Sequence, residues 1–239
     1  MKPLDIFITA YSRTNYTSET LRYLKERTRY PHRVFLIDNG GNMEFKDQVD
    51  FYIQLRPNMG IHAAWNIAME LAESDYFITS DNDIYVPDLE PDWLTQLVKL
   101  MDKRLEYGAI SLHPHIFIGI KGEDPNDPED VKEAPMAGAV MRIMRVDAIR
   151  HAGGWLKKID PKRNSEERTI SSRLQQIGYK VGRTTRIRAY HPFGKKEGLP
   201  WGYPIEITPE MQGHNPQLVE EVWRFDNPES YDQKTWLPL

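Results

Sequence analysis

The chain of 239 residues contains no cysteine. That absence excludes disulfides, thiolate nucleophiles and Cys-ligated zinc or iron–sulfur sites, and it is compatible with a reducing compartment. Long apolar runs are also lacking: a stretch such as Met136 to Met141 falls far short of the ~18 residues that a membrane span needs. The short apolar run near the N-terminus lies between Asp5 and Arg13, too brief and too charged for a signal peptide, so a soluble cytoplasmic protein is expected. There is no G-x-x-x-x-G-K-[ST] loop, no G-x-G-x-x-G and no G-x-S-x-G elbow, which removes the main support for P-loop, dinucleotide-binding and α/β-hydrolase readings. No internal repeat is visible. What is present is an ordinary globular composition, 40% apolar and 28% charged with a net charge of −4, which fits disorder, collagen and coiled coil poorly. The length suits one sizeable domain or one domain plus an appendage, at ~100–200 residues per domain.

The small net charge hides a gradient. Residues 1–141 carry −9, residues 142–196 carry 15 Lys and Arg against 4 Asp and Glu, or +11, and residues 197–239 carry −6. Two readings of the basic block stand side by side: solvated faces paired with the acidic segments around them, or attraction of an anionic partner. The acidic, proline-containing stretch 122–130 reads as an exposed loop.

Periodicity predicts strands over Leu4 to Ala10, Val34 to Ile37, Phe51 to Leu55 and Tyr76 to Thr79. Helices are expected from Thr17 to Thr28, from Gly60 through the Ala64, Ile67, Ala68 and Leu71 stripe, and from Pro91 to about Leu105. The second half is less regular, with a strand expected over Ala134 to Ile143, helices over Val146 to Ala152 and Glu166 to Ile177, and a strand over Lys180 to Arg188. From Pro192 onward the chain reads as loop and tail. Alternating strands and helices in the first ~110 residues predict an α/β fold, a mostly parallel twisted sheet flanked by helices. In such a sheet ligands sit outside the carboxyl ends of the strands, where Tyr11, Asp38, Asp81 and Asp83 fall.

Asp81, Asn82 and Asp83 follow an apolar strand directly, so two carboxylates at i and i+2 can offer hard oxygen ligands to Mg2+ or Mn2+. The same residues are also ordinary turn formers. Upstream, Asn58 and Gly60 precede a helix carrying Asn66; the glycine permits a tight entry and the helix N-terminus favours anions. His113 and His115 share a strand face, but without Cys or an H-E-x-x-H partner they read as structural. Aromatics in the tail around Trp201, Tyr203, Trp223 and Trp236 suffice to stack a sugar or base, though core packing explains them equally.

Taken in order, Thr9-Ala10-Tyr11 with Arg13, then Asp38, then N-x-G-x(5)-N, then D-x-D, resemble the nucleotide-sugar-binding half of GT-A-fold glycosyltransferases, family 2 in particular. Met136 to Ala139, the Gly153-Gly154-Trp155 turn, and Glu166-Glu167 followed by Arg173-Leu174 continue the likeness into an acceptor half, over about residues 4–191. The resemblance implies a GT-A-like domain over 1–196, with a nucleotide-sugar half at 1–110, an acceptor half at 134–191, and a C-terminal extension, 197–239, packed on it. It implies that Asp38 accepts a hydrogen bond from the base in a pocket lined by Ala10, Tyr11 and Arg13. Asn58, Gly60, Asn66, Asp81 and Asn82 belong to the donor side by the same likeness, Asp81 at the ribose or sugar. Asp83, with Asp81 and His191, would hold Mn2+ or Mg2+; Glu167 would be the general base, with Glu166 before it; and Gly138, Ala139 and Trp155 would lie on the acceptor side.

Two positions depart from the family pattern: Trp65 stands where Arg is common, and Glu167 where Asp is usual. The activity implied is inverting transfer from a nucleotide sugar, a UDP-sugar favoured, to an acceptor hydroxyl. An anionic acceptor such as nucleic acid, a lipid carrier or a phosphate-rich glycan would suit the basic block, and with it peripheral membrane contact. Two alternatives stand beside it, a nucleotidyltransferase that makes the nucleotide sugar and a non-catalytic nucleotide- or sugar-binding module.

Overall fold

The computed structural model describes residues 2–11, 14–40, 43–114, 129–155, 165–192, 194–196, 223–225 and 232–234. The first half runs β1 (Leu4–Ala10), α1 (Thr14–Arg27), β2 (His32–Asp38), a 3-10 turn (Met43–Gln48), β3 (Phe51–Gln54), α2 (Ile61–Leu71), β4 (Tyr76–Asp81) and α3 (Trp93–Lys103). The second half runs β5 (Tyr107–Pro114), β6 (Val131–Glu133), β7 (Arg142–Arg145), α4 (Val146–His151), α5 (Glu166–Gln176), β8 (Lys180–Ala189), β9 (Gly194–Lys196) and β10 (Trp223–Phe225). Eight strands form one sheet in the order β3-β2-β1-β4-β7-β5-β8-β6, and β9 pairs with β10 apart from it.

All seven residues of β1 are buried, as a central strand covered on both faces requires. Ile6 and Ile8 join Leu36 and Ile78 in a core with Leu21 and Leu24 of α1 and Trp93 and Leu97 of α3. Phe7 points the other way, stacked on Phe35 at 4.5 Å, into a second core with Trp65 and Ala68 of α2, Ile149 of α4, and Ile170 and Leu174 of α5. Period-2 alternation thus places α1 and α3 on one face and α2, α4 and α5 on the other.

The sheet is mixed rather than uniformly parallel. β3, β2, β1 and β4 are parallel, β7 runs against both β4 and β5, and β6 runs against β8, which is itself parallel to β5. The strand expected over Ala134 to Ile143 begins only at Arg142; Pro135 lacks an N–H and Gly138 packs no side chain, and the run from 134 to 141 is a loop. β5 and β6 were not read from the sequence. Most of the acidic stretch 122–130, His115, and nearly all of the extension 197–239, including Trp201, Tyr203 and Trp236, lie outside the described residues. Gln233 is described, and it joins the extension to the domain: its carbonyl accepts from Asp88 N at 3.0 Å and its side-chain oxygen from Arg27 at 2.9 Å. Among the described residues no helix is long and apolar enough to cross a membrane.

Candidate active site at the carboxyl edge of the sheet

Register fixes what meets at this edge. Ala10 pairs with Asp38 across β1 and β2, and Thr9 pairs with Asp81 across β1 and β4, so three strands end side by side. Asn39 N donates to Ala10 O at 2.7 Å, and a Cβ on Gly40 would come within 2.2 Å of Tyr11 O, so the chain after β2 hugs the end of β1 where only glycine fits.

Asp38 is buried at the base of a small recess lined by Ala10, Tyr11, Thr14, Thr17, Leu36 and Phe45. Its carboxylate accepts from Gly40 N at 2.9 Å and from the Tyr52 hydroxyl. Burial, followed by that bond to an anion, pushes the Tyr52 phenol up to about 12, so Tyr52 stays a donor at neutral pH. Tyr11, 37% exposed, forms the rim. Ala10, Tyr11 and Asp38 therefore come together as expected; Arg13 lies outside the described residues. Tyr52, Thr14 and Phe45 were missed, because the β2–β3 register and the 3-10 turn that bring them in leave no local motif.

Asn58 accepts from Gly60 N at 2.8 Å, and Asn39 accepts from Met59 N at 2.8 Å, tying the loop before α2 to the end of β2. Gly60, at φ 79°, occupies backbone space that favours glycine. Asn66 faces elsewhere: its Nδ2 donates to Trp155 O at 3.2 Å and its Oδ1 accepts from Trp155 N at 2.9 Å. Its amide clasps the turn after α4 rather than reaching the donor edge, which corrects the donor-side expectation. Trp65 is fully buried in the core of that face. Gly154, at φ 62°, packs so closely that a Cβ would sit 2.6 Å from Asn66 Oδ1. Gly154→Ala is expected to cost about 1–3 kcal/mol, read as a fall in Tm of about 2–4 °C per kcal/mol; an unchanged Tm would show that the clasp carries no load.

In the turn after β4, Asn82 Nδ2 donates to Thr17 Oγ1 at 2.7 Å and Asn82 O accepts from Thr20 Oγ1 at 2.9 Å, so Asn82 anchors the turn to α1 at a residue that lines the Asp38 recess. Its amide thus serves the turn, which corrects the expected donor contact. Asp81 is partly exposed at the strand end, its N–H bound to Ala139 O at 3.0 Å. Beyond it, Tyr85 and Tyr190 exchange two backbone hydrogen bonds of 2.9 Å and stack their rings. That bridge carries the end of β8 over to the turn, and His191 Nε2 lies 3.1 Å from Asp83 Oδ1, both groups nearly fully buried. The expected trio is not complete: among the described residues no three His, Cys, Asp or Glu side chains form a group able to hold a metal ion, so Asp81 stands apart from the Asp83–His191 pair.

On the far side of β4, Ala139 O accepts from Asp81 N and also from Ser80 Oγ at 3.3 Å, and Gly138 is partly exposed, where a Cβ would meet Val140 Cγ2 at 3.9 Å. Trp155 is buried beneath this loop instead of facing solvent, and its Nε1 donates to Glu166 Oε2 at 3.2 Å. Ser165 caps α5, accepting from Arg168 N, and Glu166 and Glu167 form its first turn. Glu166 is buried against the Arg142 guanidinium at 2.9 Å; burial lifts its carboxyl above the usual range and Arg142 opposes that rise. Glu167, its neighbour, is partly exposed.

Four described arginines of the basic block bind backbone carbonyls. Arg142 donates to Ala137 O, Arg145 to Tyr107 O, Arg150 to Met69 O and Ala72 O, and Arg173 to Gly153 O and Gly154 O. These four guanidiniums satisfy carbonyls at loops and element ends, so their charge needs no anionic ligand.

The structure thus presents a parallel edge ending in Asp38 and Asp81, an Asp83–His191 pair and two carboxylates in the first turn of α5. The model of glycosyl transferase family 2 matches residues 5–157, and the chain belongs to that family. Solved structures similar to it include Staphylococcus aureus TarS 1–349 (TM-score 0.60, covering 80% of this chain and 60% of that one) and the mannosyltransferase PcManGT from Pyrobaculum calidifontis with GDP-Man and Mn2+ (0.61, 80% and 57%). GalNAc-T7 with UDP, GalNAc and Mn2+ is a third (0.63, 80% and 44%), and all three are 14% identical to this chain. The chain thus spans 60% or less of the length of each of these structures. A search of curated protein sequences finds no match.

Proposed function

We propose that the chain is an inverting glycosyltransferase that moves a sugar from a nucleoside-diphosphate sugar, a UDP-sugar favoured, to an acceptor hydroxyl. The observation that carries this reading is the Asp83–His191 pair at the edge where β1, β2 and β4 end, beside the Asp38 recess. The donor set fits a divalent cation: Asp83 Oδ1 and His191 Nε2 are 3.1 Å apart, close enough for one ion to touch both. Asp83 and His191 would hold the cation, the carboxylate being the hard oxygen ligand that Mg2+ or Mn2+ favours. Bound there, the cation would offset the negative charge of the diphosphate.

The chain's own residues do the rest. Asp38, held by Gly40 and Tyr52, keeps a carboxylate edge for a donor N–H of the base in the recess, and Asp81 at the strand end faces the ribose or sugar. The acceptor hydroxyl attacks the anomeric carbon from the side opposite the diphosphate while Glu167 takes its proton. A carbon–oxygen bond forms to the acceptor, the bond to the diphosphate breaks with its electron pair leaving on that group, and one displacement inverts the centre. Incubation with UDP-, GDP- and dTDP-sugars and Mn2+ tests the reading: free nucleoside diphosphate from at least one donor is expected, water serving as acceptor. A nucleotidyltransferase would instead release pyrophosphate when given a nucleoside triphosphate and a sugar 1-phosphate, and no nucleoside diphosphate from any donor would overturn the glycosyl-transfer reading.

A further inference from the structure

Arg142 is a fully buried guanidinium on β7 whose contacts reach β4, the 134–141 loop and the first turn of α5. Its Nε donates to Thr79 Oγ1 at 3.2 Å, on β4 just before Asp81; one terminal nitrogen donates to Ala137 O at 3.0 Å; the other donates to Glu166 Oε2 at 2.9 Å. It also lies over the Trp155 ring at 5.6 Å, and Trp155 shares the same Glu166 oxygen. A non-glycine residue with positive φ, Met141 at 42°, immediately precedes it. That backbone is held by Met141 N donating to Ser80 Oγ, whose own hydrogen goes to Ala139 O. α5 is pinned a second time, by Ala137 N donating to Ser171 Oγ at 3.1 Å.

We propose that Arg142 is a positioning residue that sets the first turn of α5 against the end of β4, and so fixes Glu167 relative to the donor held at Asp81 and Asp83. The proposal rests on the reading of Glu167 as the base. One rigid cation touches the donor strand, the loop carrying Gly138 and Ala139, and the residue next to the base. A planar guanidinium can bond three separate acceptors at once, which a lysine ammonium cannot do in the same geometry. The other oxygen of Glu166, Oε1, is buried without a hydrogen-bond partner among the described residues. Glu166 is therefore held in place through one oxygen by Arg142 and Trp155, and removal of Arg142 frees the turn while leaving Asp38, Asp83 and His191 untouched.

The test is steady-state release of nucleoside diphosphate from the donor that the wild type hydrolyses, with UDP-induced thermal shift in Mn2+ as the measure of the donor site. A displacement of about 1 Å at a reacting group can cost ~10²-fold, so Arg142→Met is expected to lower kcat about a hundredfold with donor KM within about threefold and the UDP shift preserved. Arg142→Lys should recover part of that loss. Where Arg142→Met does not fold, Thr79→Val and Glu166→Gln each loosen one end of the link, and each is expected to lower kcat about tenfold without moving donor KM. Variants that fold, melt earlier and turn over at the wild-type rate would make Arg142 a structural residue only and overturn the proposal. A proportional loss of UDP binding would overturn it too, since the effect would then lie in the donor site. Failure of the reading beneath it looks different: the wild type itself would release nothing.

Discussion

Glu167→Gln is expected to bind UDP as the wild type does and to lose turnover by ~10²–10⁴-fold, the usual worth of a positioned general base. The substitution keeps size, shape and hydrogen-bonding capacity at a partly exposed position, so the fold and the Ser165 cap of α5 should survive it. What disappears is the ability to take a proton from the attacking hydroxyl. Two measurements separate these effects: kcat for nucleoside-diphosphate release, and the thermal shift from UDP in Mn2+, where a ligand at ~100 times its dissociation constant adds ~2.7 kcal/mol. Wild-type turnover in this variant would remove Glu167 from the mechanism. Glu166 is a poor substitute, because its carboxylate is buried and one oxygen is already bound to Arg142 and Trp155. It is better suited to hold its neighbour than to reach a substrate.

How much of this was legible in the sequence follows from the range of the interactions. β1 was readable because a continuous apolar run from Leu4 to Ala10 is what a strand covered on both faces needs, and its bounds were the same in the structure. α2 was readable from its alanine stripe and the glycine before it. β6 was not, because three residues, Val131–Glu133, after an acidic stretch of sequence carry no periodicity, and the strand pairs with β8. The 134–141 segment looked apolar enough to be a strand, yet Pro135 and Gly138 and the demands of Asp81 N, Ala137 N and Leu112 N on its backbone and neighbours make it a loop.

The site shows the same division. Asp38, Asp81 and Asp83 could be placed because strand ends in an α/β sheet share an edge. His191 joined Asp83 through the Tyr85–Tyr190 bridge, which has no sequence signature of its own. Asn66 and Asn82 were misread for a common reason: an asparagine in a motif can serve the loop's backbone as easily as a ligand, and only the partners Trp155 and Thr17 decide which. Arg142 was hidden within a block of fifteen cations whose net charge suggested a surface, whereas several of its arginines turn inward to carbonyls.

Asp83→Asn is expected to abolish the Mn2+-dependent part of donor binding and with it turnover, while UDP alone continues to bind weakly through the Asp38 recess. In the wild type, UDP with Mn2+ should raise Tm well above UDP with EDTA. In Asp83→Asn the two conditions should coincide, because an amide oxygen without charge is a weak ligand for a hard cation and leaves His191 alone at the position. The competing account is that Asp83 and His191 are a buried ion pair and nothing more. Breaking such a pair by removing one partner costs about 3–5 kcal/mol, so that account predicts a lower ligand-free Tm in Asp83→Asn and in His191→Gln, with the Mn2+ increment intact in both. The metal reading predicts that the increment vanishes in the first and shrinks in the second, whatever happens to the baseline. The two outcomes differ in the ligand-dependent shift, and the ligand-free Tm of each variant supplies the correction for any change in stability. An undiminished increment in Asp83→Asn would leave the 3.1 Å separation of the pair as a structural contact and move any cation to other ligands.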